Sequence, residues 1–423
     1  MRVLWITNIP FGKLLTLARR SGGETSGSWL DATLNAFIGD SEHEIIVATI
    51  GDTDKVETLC DENITYCLLP GGSAAQYNAA LPANKHAWEE IQSIYRPELI
   101  HVWGTEFSHG YLALQVMKGI PSVIYMQGVM RQIARYYISG MSPKDLRSSI
   151  TLRDIIKRDW IKQAQRKYFR RSMIEAEMIN KSGNVIVEND WCAAQCKVIA
   201  PDCIVYKCKL NIKSTFFKHT WDIGKIEPYS IMNNGAEYPI KGLHILLKAL
   251  ELVVKEYPQT KLYVPGVGSP FERTGLKTLK VDGYSNFIKK IIKNLGLDNH
   301  VYFLGRISSE KMAGRMAKSN VFVMSSSIEN HSSSLIEAMI VGIPCISSYV
   351  GGVPEYVEHN KTGLLYRFEE YEVLASYILK IFGDPKCATD MSMNASYIMR
   401  KSRSLIYSKN QLIAIYQRIL STH

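Results

Sequence analysis

Short runs of β-branched and aromatic residues alternate along the chain with longer stretches whose apolar positions recur every three or four residues. Residues 2–8 (RVLWITN), 44–50 (EIIVATI), 99–104 (LIHVWG), 121–128 (PSVIYMQG) and 184–189 (NVIVEN) predict buried strands. Helical spacing lies between several of them, as at 86–95 (HAWEEIQSIY). The alternation resumes with 229–234 (YSIMNN), a helical stretch at 241–257, then 261–266 (KLYVPG), 301–305 (VYFLG), 321–326 (VFVMSS), 344–349 (PCISSY) and 362–367 (TGLLYR). Continuous apolar strands separated by helices imply parallel sheets covered on both faces.

There are too many strands for one sheet. Residues 211–228 show no clean period and sit between the two sets. The expected organisation is α/β: two doubly wound, Rossmann-like domains facing across a cleft, at 1–210 and 229–403, with 211–228 as linker. A last helix at 404–423 is expected to pack back on the first domain. Ligands of such sheets bind outside the carboxyl ends of the strands, so every loop after a strand is a candidate.

One such loop carries chemistry. Residues 325–345 read SSSIENHSSSLIEAMIVGIPC. Glu329 stands at a strand exit, and Glu337 eight positions later in a helix. Small polar residues lie between them: Asn330, His331, Ser332, Ser333 and Ser334. Ser334 and Glu337 fit a capping box, which would account for Glu337 without a ligand. It leaves Glu329 and the polar run unexplained. A helix start offers N–H groups and a partial positive charge to a phosphate. Two carboxylates beside it would repel that phosphate unless they face hydroxyl groups. A phosphate flanked by polyhydroxylated rings describes a nucleotide sugar.

Composition narrows the classes. With 423 residues and 46% hydrophobic content the chain suits a globular protein of two or three domains. No apolar run reaches the roughly 18–20 residues of a membrane span, and the first residues read as a strand rather than a signal peptide. A cytoplasmic protein is expected, and its eight cysteines would then be reduced. Cys192, Cys196, Cys203 and Cys208 fall close together. The first two are helix-spaced and the last lies in a strand-like alternation, so buried side chains are the better reading than zinc. The "DTD" at 52–54 is too short a match to carry a metal site.

Net charge is +10. Between Lys144 and Arg171 ten Lys or Arg face three Asp. Ile155, Ile156, Trp160, Ile161, Ala164 and Tyr168 recur near a helical period, predicting one amphipathic helix over 150–171 with a basic face. Its readings are a solvated face, or attraction to anionic lipid on the inner face of the membrane or to a phosphorylated ligand. No nucleic-acid motif supports a third.

Glu329 and Glu337, with "EAM", "GIP", "GGVPE" and "GLLY" (363–366), resemble the E-x7-E region of retaining glycosyltransferases of family 4, which have the GT-B fold. "KG" at 241–242 and "VYFLGRISSEKM" at 301–312 also match. "LWITNIP" followed by "SGSWLDATLNAF" resembles the bacterial polysaccharide-forming members, so the resemblance spans nearly the whole chain.

The resemblance implies roles. Glu337 would bond the donor's ribose and Glu329 would face the transferred sugar. Backbone N–H groups of Ser333 and Ser334 would hold the diphosphate, and Lys241 would neutralise it as it leaves. Gly27 and Ser28 would offer a second N–H cradle. Ile307 would frame the base, and Asn330, Ser332, Gly305, Arg306 and Gln127 would complete the donor set. Glu106 and His109 would touch the acceptor.

Two positions depart from the family. Gly235 stands where many relatives carry Arg, and Gln127 where many carry His. A general base at Gln127 is thereby disfavoured, and the leaving phosphate would take the acceptor's proton. The expected activity is a retaining hexosyltransferase of surface polysaccharide biosynthesis, using a nucleotide sugar (UDP-linked as prior) and a glycan or lipid-linked acceptor, without metal or other cofactor. The alternative is a GT-B-like protein that binds nucleotide sugars without turnover. A sugar phosphorylase is a third class, and no pyridoxal phosphate lysine motif supports it.

Overall fold

A computed structural model describes residues 1–18, 28–71, 82–233, 235–266, 268–269, 281–403 and 405–422. The chain forms two compact units. Unit 1 comprises 1–131, 169–213 and 403–423, and unit 2 comprises 132–168 and 214–402.

Unit 1 is built on strands β1 (Arg2–Thr7), β2 (Glu44–Ile50), β3 (Glu57–Asp61), β4 (Ile64–Leu69), β5 (Leu99–Trp103), β6 (Ser122–Tyr125), β7 (Asn184–Val187) and β8 (Ile204–Lys207). Their order is β3-β4-β2-β1-β5-β6-β7-β8, and only β3 is antiparallel to its neighbour. The period-2 alternation of β1 divides its side chains. Leu4 and Ile6 join Ile46, Ile100 and Val102 in one core layer. Val3 and Trp5 join Ile45, Leu99 and Trp103 in the other. Both layers are buried, which is why the strand reads as a continuous apolar run. Helix Leu405–Ser421 belongs to unit 1. Its Leu412, Ile415, Tyr416 and Ile419 fill the second layer, and the Tyr416 hydroxyl lies 2.6 Å from His101 Nδ1.

Unit 2 carries β9 (Ser230–Asn233), β10 (Lys261–Pro265), β11 (Val301–Gly305), β12 (Val321–Met324), β13 (Cys345–Ser348) and β14 (Leu364–Tyr366). Every pairing is parallel, in the order β11-β10-β9-β12-β13-β14. From β9 the chain runs outward through β10 and β11, then returns to place β12 on the other side of β9. The switch point of this sheet therefore lies between β9 and β12.

Residues 132–168 go with unit 2, whereas the sequence pattern placed them within 1–210. Their anchor is a turn at Ser139, buried and held at φ 51. His244 Nε2 donates to the Ser139 carbonyl at 2.8 Å, and His244 Nδ1 lies 3.0 Å from the Tyr284 hydroxyl. Burial pushes the His244 pKa down to about 4, so the ring is the neutral Nε2–H tautomer. Gly283 lets the segment close in, since a Cβ there would lie 2.7 Å from Asp154 Oδ2.

The expected single helix over 150–171 is not formed. Helix Leu152–Lys157 ends at Arg158, whose φ of 48 is left-handed, and helix Ile161–Ser182 begins afresh. The apolar positions consequently split: Ile161 is buried while Ile155 and Ile156 face outward. Among the described residues no helix is long and apolar enough to cross a membrane.

Candidate active site

Lys241 and Glu329 meet at the switch point of unit 2. The loop after β9 ends in a short 3-10 turn, Pro239–Lys241, and Gly242 at φ 66 opens helix Leu243–Glu256. A Cβ on Gly242 would lie 1.7 Å from the Ser325 carbonyl oxygen, so the glycine of "KG" is a backbone requirement. The loop after β12 is sewn to this turn: Ser327 N donates to Ile240 O at 2.8 Å and Ser325 Oγ to Lys241 O at 3.0 Å. Glu329 is fixed from the far side. Gly352 N donates to its carbonyl at 3.1 Å, and a Cβ on Gly351 would lie 1.8 Å from that oxygen. The "GG" of GGVPE thus clamps the Glu329 backbone.

Between these loops the Lys241 ammonium lies 2.8 Å from Glu329 Oε1, which also accepts from Ser326 Oγ at 2.7 Å. Their side chains are only 22% and 11% exposed. Burial works against the Lys241 charge, but the Glu329 carboxylate and the nearby Tyr238 and Glu237 outweigh it and hold the ammonium pKa above its ordinary range.

Helix Ser333–Val341 follows, capped by Ser332, whose Oγ accepts from Leu335 N at 3.4 Å. The expected Ser334–Glu337 capping box does not form, because the helix begins two residues earlier than that pattern requires. Ser333 and Ser334 occupy the first two helical positions, whose N–H groups point out of the helix start without intrahelical carbonyl partners. Glu337 sits deeper, at the fifth helical position, and is buried; Asn330 is buried before the cap. Ser332 N donates to the Tyr356 hydroxyl at 3.3 Å.

The other expected residues fall as follows. Gly305 ends β11 at φ 64, with exposed Arg306 and half-buried Ile307 after it; β11 is the edge strand, two places from β9. Gly235 sits at φ 112, with its N–H and carbonyl both bonded to the Asn233 side chain at 3.1 and 2.9 Å. An arginine in that backbone conformation would be strained.

Unit 1 brings together Gln127, Glu106 and Asn8 at the carboxyl ends of β6, β5 and β1. Gln127 Nε2 donates to Trp103 O at 3.1 Å, and Asn8 Nδ2 to Glu106 Oε2 at 3.2 Å. Burial pushes the Glu106 carboxyl up to about 7, against the pull of nearby backbone N–H groups and Arg171. Behind it Glu175 is fully buried, accepting from Thr105 Oγ1 at 2.5 Å and from Met130 N at 3.0 Å; burial pushes its carboxyl up to about 8. His109 opens helix His109–Val116, and burial pushes it down to about 4. Ser28 opens helix Ser28–Asn35, while Gly27 lies outside the described residues.

Asn8, Glu175, Ser326 and Tyr356 were not singled out from sequence. Glu175 had a signal: it is a carboxylate at helical spacing with the buried Met178 and Ile179. The cysteines are divided, with Cys192, Cys196 and Cys203 in one core layer of unit 1 and Cys208 in the other. Among the described residues no group of three or more His, Cys, Asp or Glu is placed to hold a metal ion.

Residues 219–397, nearly all of unit 2 beyond 132–168, match the family model described as Glycosyl transferases group 1. N-acetyl-alpha-D-glucosaminyl L-malate synthase of Bacillus anthracis is 29% identical over 132 residues, 31% of this chain and 33% of that protein. D-inositol 3-phosphate glycosyltransferase of Streptomyces avermitilis is 29% identical over 164 residues, 38% of this chain and 34% of that protein. The chain thus spans about a third of the length of these curated relatives. Sucrose-phosphate synthase from Thermosynechococcus elongatus superposes with a TM-score of 0.73 at 19% identity, covering all of both chains. HepE of Anabaena, solved with UDP and glucose, gives 0.68 at 16% identity, covering 99% of this chain and all of that one. At such identities the likeness is one of fold, and the fold is GT-B: two parallel-sheet α/β domains.

Proposed function

We propose that this protein is a retaining glycosyltransferase of the family 4 type. It moves a hexose from a nucleotide sugar to a glycan or lipid-linked acceptor in surface polysaccharide synthesis. The observation that carries the reading is the Lys241–Glu329 pair at the β9–β12 switch point, beside the start of helix Ser333–Val341.

Each part has a task in transfer. The helix start and the Lys241 ammonium supply positive potential for a diphosphate. Lys241 acts most strongly as the diphosphate departs and its charge grows. The Glu329 carboxylate stabilises positive character developing on the sugar ring. Glu337 accepts from the ribose hydroxyls. The family match over unit 2 and the glycosyltransferases among its relatives favour turnover over mere binding. No base is assigned at Gln127, so the acceptor proton passes to the leaving phosphate oxygen and the configuration is retained. Acceptor contact is assigned to Glu106 of unit 1; the His109 ring, expected beside it, is only 2% exposed and is a packed core side chain instead. UDP is the first nucleotide to try, since HepE was solved with UDP-glucose.

The test is incubation with a panel of nucleotide sugars. Slow release of nucleoside diphosphate, accelerated by acceptor, supports the reading. Tight nucleotide binding without hydrolysis or transfer of any donor overturns it in favour of a binding protein.

A further inference from the structure

The break at Arg158 leaves an apolar cluster without cover. Ile150, Leu152, Ile155 and Ile156 are 39, 56, 59 and 74% exposed, all within seven residues in and beside helix Leu152–Lys157. Beside them is a groove of about 240 Å3 lined by Pro143, Leu146, Arg147, Ile150, Trp160 and Lys162. Its floor is apolar and its cationic side chains are exposed.

The charges around this cluster are one-sided. The three acids of the segment are engaged: Asp145 in the cap of helix Pro143–Ser149, Asp154 with Arg153 at 3.1 Å, and Asp159 with Lys167 at 2.6 Å. Lys144, Arg147, Lys157, Arg158, Lys162 and Arg166 are exposed, and none has a carboxylate partner among the described residues. A solvated helix face explains the cations but not four aliphatic side chains standing among them. A protein partner of acidic character would explain the charge and leave the isoleucines in water.

We infer that this face of unit 2 docks on an anionic lipid bilayer, with Leu152, Ile155 and Ile156 entering the headgroup–acyl boundary and the surrounding cations pairing with lipid phosphates. Exposed aliphatics ringed by Lys and Arg on a short helix are the chemistry of interfacial membrane binding. Each cation contributes roughly a fivefold gain near an anionic surface, and each inserted isoleucine on the order of tenfold. The inference does not rest on the nucleotide-sugar reading, because vesicles without any sugar test it.

The full chain is sedimented with vesicles of phosphatidylcholine alone and of phosphatidylcholine mixed with phosphatidylglycerol. Binding is expected to the anionic vesicles and to weaken as salt shortens the screening length from about 10 Å at 0.1 M to about 3 Å at 1 M. Arg147→Gln with Lys157→Gln and Lys162→Gln lowers the partition coefficient on the order of 100-fold. Ile155→Ser with Ile156→Ser lowers it by a similar factor at unchanged charge. All five side chains are exposed, so melting temperature is the check that folding is intact. Equal binding to both vesicles overturns the inference. So does unchanged binding in the isoleucine variant, which would reduce the contact to polyanion attraction. A concentration-dependent dimer in sedimentation equilibrium that the isoleucine changes abolish overturns it too, by assigning the patch to a second copy of the chain.

Discussion

Lys241→Ala separates a structural ion pair from a catalytic one. The ammonium lies 2.8 Å from a carboxylate whose side chain is 11% exposed. Without it, Glu329 keeps the Ser326 hydroxyl but loses its counter-charge. Removing one partner of a fully buried pair costs about 3–5 kcal/mol. This pair is partly reached by solvent, so about 2–3 kcal/mol is expected. Lys241→Ala combined with Glu329→Gln should cost less than the sum of the two, because no charge is then left orphaned. Turnover is a separate quantity. If Lys241 meets the growing charge of the departing diphosphate, its loss lowers the rate about 10²–10³-fold, and affinity for intact donor falls less. The assay is release of nucleoside diphosphate below the variant's melting temperature, with melting followed in parallel. A variant that melts lower yet turns over at the wild-type rate would refute the catalytic role and leave Lys241 as a brace for the loop.

Glu337→Ala is expected to weaken nucleoside diphosphate and nucleotide sugar alike by about 1.5–3 kcal/mol, since both carry the ribose; calorimetric titration showing unchanged affinity with only lowered melting would make Glu337 structural. Between about pH 4.5 and 6.5 the protons held on buried Glu106 and Glu175 are opposed by His109 and His244, which the unfolded chain protonates and the native state does not. Above about 6.5 the histidines no longer contribute, and stability should fall as pH rises to about 8. Glu175→Gln should flatten that fall, which is worth roughly 2–3 kcal/mol in urea unfolding; an unaltered slope would mean the buried acid is ionised. Gly242→Ala, which forces a Cβ toward the Ser325 carbonyl at a positive φ, should destabilise by about 2–4 kcal/mol and cut turnover as the Lys241 turn shifts.

Much of the fold can be read from apolar runs, and the reasons for the misses are local. β2 and β11 have the bounds that the pattern implies, because both are continuous runs ended by turn residues. β3 was not singled out because its burial alternates on an antiparallel edge and its sequence, ETLCD, is half polar. The helix over 150–171 failed because hydrophobic period carries no information about a left-handed residue such as Arg158. The break near 210 lies close to the observed one at 213/214, but the placing of 132–168 in the first domain failed, because that segment is held to unit 2 by scattered contacts, through Ser139, Asp154 and Ser148, that leave no periodic trace. At the site, spacing marked Glu329, Glu337 and Lys241. It could not mark Asn8, whose partner Glu106 is brought to it by strand order; Ser326, only three positions before Glu329, carries no pattern that sets it apart from its serine neighbours.

The most direct measurement pairs two quantities in Glu329→Gln: affinity for nucleoside diphosphate, and turnover with the donor identified from the panel. If Glu329 serves the transferred sugar, turnover falls sharply while diphosphate affinity does not fall, because Lys241 loses only a competing carboxylate 2.8 Å away. The amide keeps the shape and loses the charge that stabilises positive character on the ring. Wild-type turnover in this variant, with true donor and acceptor, would contradict the role of Glu329 and most of the functional account with it.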